Sequence, residues 1–221
     1  MVDIGCFGKD NDANIYNHSV IGKGFATGTF NIPEAEKVGD SEELPYVIVS
    51  DEIFGLKTYL MKPYPGNGLT ESQKVFNYRL SRCRQVIENA FGILSALWRI
   101  FRRPIKAKPC NVDSIVKACI CLHNYLRLTD NAHYIPQGFV DTEDGKGEIL
   151  PGNWRAIVEN NASGMTPLQQ RVNKYGSDAK VTRERFEKYF NSKEGAVSWQ
   201  LKHVRSFGED FATAIYKKIN Y

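Results

Sequence analysis

Two carboxylates stand where chemistry is readily placed. Asp51 closes the apolar run Pro45-Tyr46-Val47-Ile48-Val49-Ser50. A continuous β-branched run reads as a buried strand, and open α/β sheets hold their ligands outside the carboxyl ends of strands. Glu88 lies inside a long Arg-rich stretch with helical spacing. At about 100° per residue, Asn77, Ser81, Arg84, Gly92, Ser95 and Arg99 fall within about 40° of Glu88. The apolar stripe Phe76, Leu80, Cys83, Ile87, Ala90, Leu94, Leu97 and Phe101 is centred about 120° away. Glu88 is thus expected on a polar stripe whose small neighbours leave room for a metal and a phosphate. The competing interpretation is an Arg84–Glu88 surface pair at i, i+4, worth only about 0.2–0.5 kcal/mol.

The elements that must position these groups follow from periodicity and punctuation. Asp12 to Phe25 opens on an N-cap type of residue and reads as a short helix; 26–44, with Gly28, Pro33 and Gly39, reads as a loop. Leu56 to Tyr64 reads as a second strand, stopped by Pro63, Pro65 and Gly66. Thr70 is placed to N-cap a helix from Glu71 to about Trp98. A further helix is expected over about Val112 to Leu128, with Val112, Ile115, Val116, Cys119, Ile120 and Leu126 at helical spacing. Val2 to Gly5 has the alternation of a strand end. Beyond His133 the texture turns to Gly, Asn, Pro and acids, which predicts an extended, partly ordered arm over 134–180, with Leu150 and Trp154 as isolated anchors. Short helices are expected at 182–190 and 212–221. Strands mixed with helices give an α/β class, divided as 1–130 and a C-terminal extension 131–221.

Charge is unevenly spread. The 221 residues carry a net +4, yet 57–108 holds eleven basic residues and only two acids, Glu71 and Glu88, so this block is +9 and the remainder −5. Such a block suggests a polyanionic partner. Arg79, Arg82, Arg84, Arg99, Arg102 and Arg103 are the candidate phosphate ligands, since a guanidinium makes two parallel hydrogen bonds to phosphate. The alternative pairs them with acids of the arm, Asp141, Glu143, Asp144 and Glu148. No apolar run approaches the length of a membrane span. The N-terminus has neither the basic nor the apolar region of a signal peptide, and the five scattered cysteines suit a reducing compartment. Cys119 and Cys121, at i and i+2, point about 200° apart on a helix and cannot share one metal. His123 is expected as a buried, hydrogen-bonded histidine. No phosphate-loop pattern occurs.

Longer motifs carry a resemblance. Tyr46 to Phe54, Tyr59 to Pro65 and, above all, Phe76 to Leu94 (FNYRLSRCRQVIENAFGIL) are similar to the PIF/Harbinger transposases and the nucleases derived from them. Val2 to Gly5 with Asp10-Asn11-Asp12, Cys121 to Arg127, and Tyr189 to Gln200 extend the likeness to about residue 205. The resemblance implies an RNase H-like core in which Asp, Asp and Glu hold divalent metal, Mg²⁺ or Mn²⁺, for cleavage of DNA. On that pattern Asp51 and Glu88 are catalytic, and Asp12, Asp51 and Glu88 are metal ligands. Glu52 is adjacent, but the motif favours Asp51. Met1 falls at the third strand of the pattern, so the core is expected to be N-terminally truncated, without its first strands, its first aspartate or a DNA-recognition region. Asp3 is on the wrong strand to replace that aspartate. The resemblance also implies a separate Myb-like DNA-binding partner; the missing signal and the free thiols point to nucleus or cytoplasm, with the nucleus taken first, and the oligomeric state is left open. The alternative function is a non-catalytic module that binds DNA or protein.

Overall fold

A computed structural model describes residues 2–5, 11–159 and 176–206; the helix expected over 212–221 and the arm beyond 159 as far as 175 lie outside these. The chain is mixed α/β. In order, its elements are α1 (Asp12–His18), α2 (Val20–Thr27), β1 (Glu36–Lys37), β2 (Glu43–Leu44), β3 (Ile48–Val49), β4 (Leu60–Met61), α3 (Glu71–Leu97), a 3-10 turn (Arg99–Arg102), α4 (Pro109–Thr129), α5 (Asn131–Tyr134), β5 (Thr142–Glu143), β6 (Ile149–Leu150), α6 (Trp154–Glu159), α7 (Ser177–Phe190) and α8 (Gln200–Ser206). Residues 2–5 form no strand. Among the described residues, 11–85 and 176–206 form one compact unit, and 2–5 with 86–159 form a second. The long helix α3 therefore gives its first half to one unit and its second half to the other.

In the first unit the single helix expected after Asp12 is two. Ser19 breaks it because its hydroxyl accepts the Gly22 N–H at 2.8 Å and N-caps α2. Asn11, not Asp12, caps α1, accepting the Asn14 N–H at 2.8 Å. The expected loop 26–44 contains the antiparallel β1–β2 hairpin. The run 45–50 yields only the two-residue β3, paired in parallel with β4 and half-buried rather than buried. Its one neighbour among the described residues is β4, so one edge of the run has no ladder to extend it.

Helix α3 starts where Thr70 predicts. The Thr70 hydroxyl accepts the Gln73 N–H and the Gln73 side chain accepts the Thr70 N–H, both at 3.2 Å, a reciprocal capping box. Its first half buries Phe76 and Leu80 with Leu56, Met61 and Ala179, and Val75 and Tyr78 with Val204. Asn77, within that core, clamps the loop after β4: its carbonyl accepts the Tyr64 N–H at 2.8 Å and its amide donates to the Tyr64 carbonyl at 2.9 Å. The Tyr64 hydroxyl in turn donates to Glu187 of α7 at 2.5 Å.

The second unit is where expectation and structure part most. Among the described residues, 135–159 are not an extended arm. The antiparallel β5–β6 hairpin and α6 fold back, and Ile135, Phe139 and Trp154 form a core with Ile93 and Ala96 of α3. This turns the second half of α3 over relative to expectation. Cys83, Ile87 and Ala90, assigned to the buried stripe, are exposed, as are Val86 at 71% and Phe91 at 65%. Helix α4 starts earlier than expected because Pro109 occupies its first turn, where no N–H is needed.

Candidate functional site

Asp51 follows β3 directly. The Ser50 N–H and hydroxyl both donate to the Met61 carbonyl, at 2.9 and 3.1 Å, which pins the strand end to β4. Asp51 then turns the chain on itself, its Oδ1 accepting the Ile53 N–H at 2.9 Å. The carboxylate is half-buried. Asp12 is exposed in the first turn of α1. Both belong to the first unit, whereas Glu88, half-buried on α3, belongs to the second.

At Gly92, one of the small neighbours expected beside Glu88, the space is filled. Gly92, one turn on, lies under the Trp154 indole so closely that a Cβ there would come within 2.1 Å of Cζ3. The glycine that reads in sequence as open space is the seat of an aromatic ring delivered from a distant part of the chain. Among the described residues, no group of three or more His, Cys, Asp or Glu side chains is arranged to hold a metal ion.

The tryptophan is held by a pair that sequence reasoning did not single out. The Arg155 guanidinium contacts the Asp141 carboxylate at 2.6 Å, with the two side chains only 13% and 3% exposed. Asp141 also accepts the Gly152 N–H at 2.7 Å and the Trp154 indole N–H at 3.1 Å. Burial raises the Asp141 carboxyl, but the Arg155 hydrogen bonds and the Gly152 amide outweigh it and leave it below the ordinary carboxylate range. Arg155 reaches on to the Asn89 side chain at 3.5 Å. A Gly-Asn-Trp-Arg stretch facing an Asp across a hairpin has no short-range signature, so only the tertiary fold exposes it. Asp141 was a candidate partner of the basic block; its place here is with Arg155 in its own unit.

The residues of the basic block differ in exposure and in their bonds. Lys62 is 2% exposed. Arg79 donates to the Gly195 carbonyl at 2.8 Å and to Gln200 at 3.2 Å, and lies 4.9 Å from the Phe190 ring centre. Arg102 donates to the Ser95 carbonyl at 3.1 Å and to that of Ala96. It thereby satisfies carbonyls that the end of α3 leaves open. Arg82 and Arg84 are half-buried, and Arg99 and Arg103 are exposed.

His123 is the hydrogen-bonded histidine expected, half-buried rather than buried. Its Nδ1 meets the Tyr134 hydroxyl at 2.8 Å, and that hydroxyl accepts the Trp98 indole N–H at 2.7 Å. Burial, then the neighbouring Arg127 charge, lower its affinity for a proton. Cys119 is buried and Cys121 exposed, on different faces of α4.

No described helix is long and apolar enough to cross a membrane. No curated protein and no solved structure matches the chain. The model of the family described as DDE superfamily endonuclease matches residues 1–124. That span is more than half of the chain and includes Asp12, Asp51 and Glu88 on α1, the β3 turn and α3. The chain belongs to the DDE superfamily endonuclease family.

Proposed function

We propose that this protein is a transposase-derived nuclease domain of the PIF/Harbinger type, with an RNase H-like core and DNA as its substrate. The observation that carries this is the family match across the whole stretch bearing the three carboxylates. Asp51 and Glu88 are the catalytic carboxylates, and Asp12 joins them as a third ligand of Mg²⁺ or Mn²⁺, the kind of ion DDE endonucleases generally use. Such an ion supplies charge stabilisation at the phosphodiester and a more acidic water. What the chain's own residues offer DNA is exposed guanidinium charge, at Arg99 and Arg103, with Arg82 and Arg84 beside Glu88 in sequence. The nuclease domain occupies 1–130 and the extension 131–221; a Myb-like partner and a nuclear location complete the reading.

A second reading, a non-catalytic DNA- or protein-binding module, is favoured by one observation: the Trp154 indole fills the space at Gly92, one turn along α3 from Glu88. Calorimetric titration of Mn²⁺ into the purified chain separates the two. The nuclease reading expects saturable binding that falls in Glu88→Ala. Equal heats from both proteins would remove Glu88 from the site and leave the binding module.

A further inference from the structure

A buried lysine stands beside the candidate aspartate. β3 and β4 run parallel with Val49 opposite Met61, so the residues that follow each strand leave at the same edge. Asp51 and Glu52 follow one strand and Lys62 follows the other. Lys62 is 2% exposed. Lysine is almost never buried without a partner, because its ammonium loses its water. Here Nζ donates to the Glu52 carbonyl at 2.6 Å. The turn that carries Asp51 is thus held at two points: the Ile53 N–H fixes the carboxylate through Oδ1, and the Lys62 ammonium fixes the next carbonyl.

We infer that Lys62 is a positioning residue for Asp51, locking the turn that aims the carboxylate, and is no part of a DNA-contacting surface. A charged donor on a backbone carbonyl is stronger than a neutral one. Loss of the donor frees the Glu52–Ile53 peptide, whose N–H bonds the Asp51 carboxylate, and with it the Asp51–Ile53 turn. The role matters for activity only through the reading of Asp51 as a catalytic carboxylate, so the test keeps the two apart.

The test is amide exchange and the ¹H–¹⁵N spectrum of the full chain, for wild type, Lys62→Met and Asp51→Asn. In Lys62→Met the Ile53 amide is expected to move in the same direction as in Asp51→Asn and to exchange about tenfold faster or more, while the Val75 and Phe76 amides in α3 keep their protection. An unchanged Ile53 amide overturns the positioning role. So does a loss of protection spread evenly over Ile53, Val75 and Phe76, which would make Lys62 a general structural residue. If Lys62→Met does not fold, reductive methylation of the wild type decides. Lys62 is expected to react at least about tenfold more slowly than the exposed Lys57, Lys106 and Lys108; equal rates overturn the burial on which the inference rests. Phosphodiester cleavage is read separately. If Asp51→Asn cleaves like wild type, the catalytic reading fails while the exchange result still decides the turn.

Discussion

Trp154 lies over Gly92 of α3 with its indole where any other residue's Cβ would be. Gly92→Ala therefore sets two effects against each other. Alanine gains about 1 kcal/mol of helix propensity, but a methyl 2.1 Å from a ring carbon must displace the indole, and overpacking of this kind costs about 1–3 kcal/mol. The variant is expected to be less stable in urea denaturation and to show an altered tryptophan emission. A stabilised Gly92→Ala would mean that Trp154 does not sit there.

The Asp141–Arg155 pair secures that ring, and breaking it should be costly. Removing one partner of a buried pair typically destabilises by about 3–5 kcal/mol, because the other charge is left uncompensated. Asp141→Ala is expected in that range. The pH dependence has a defined sign. The folded-state carboxyl lies below its ordinary value, so its stabilising effect is complete above the unfolded value near 3.9 and is lost as pH falls through the lower folded one. The midpoint of urea unfolding should drop below about pH 4 in wild type, and by less in Asp141→Asn.

Not all arginines of the basic block should behave alike toward DNA. Arg99 and Arg103 are exposed, whereas Arg102 closes the end of α3. Reversing Arg99 and Arg103 to Glu is expected to weaken duplex binding and to flatten the log–log salt slope by roughly two units. Arg102→Glu is expected to lower the melting temperature by removing the cap. Anisotropy titrations at several salt concentrations, with a melting curve for each variant, test both halves of the contrast.

The two apolar edges of α3 beyond Gln85 differ in the same testable way. Ile93 is 4% exposed in the core with Trp154, and Phe91 is 65% exposed. Ile93→Ala should cost about 2–5 kcal/mol, whereas Phe91→Ser should stay within about 0.5 kcal/mol and improve solubility. Comparable losses at both positions would restore the stripe that periodicity alone suggests.

These contrasts mark what the sequence makes legible. Local rules locate α3: Thr70 and Gln73 cap it reciprocally, and the absence of proline lets it run to Leu97. They do not say which edge of α3 is covered, because Ile87 and Ile93 are equally apolar and only a segment arriving from residue 135 onward selects between them. The texture of 134–159 reads as irregular for the same reason. Its order rests on Phe139, Asp141 and Trp154 meeting partners distant in sequence, which periodicity cannot register. The run 45–50 has the composition of a strand, yet a strand's length is set by its neighbours, and β4 pairs with two residues of it. Asp51 and Glu88 are legible as candidates from position and motif. The seat of Trp154 at Gly92 is not, since a glycine in sequence does not say what fills the space it leaves.

The most direct measurement of the central claim is nicking of supercoiled plasmid by the purified chain in Mn²⁺, for wild type, Asp51→Asn and Glu88→Gln in parallel. A transposase-derived nuclease with these catalytic carboxylates predicts open-circular product from wild type and a loss of about a hundredfold or more in each variant. No product from wild type, or equal product from all three proteins, would contradict it.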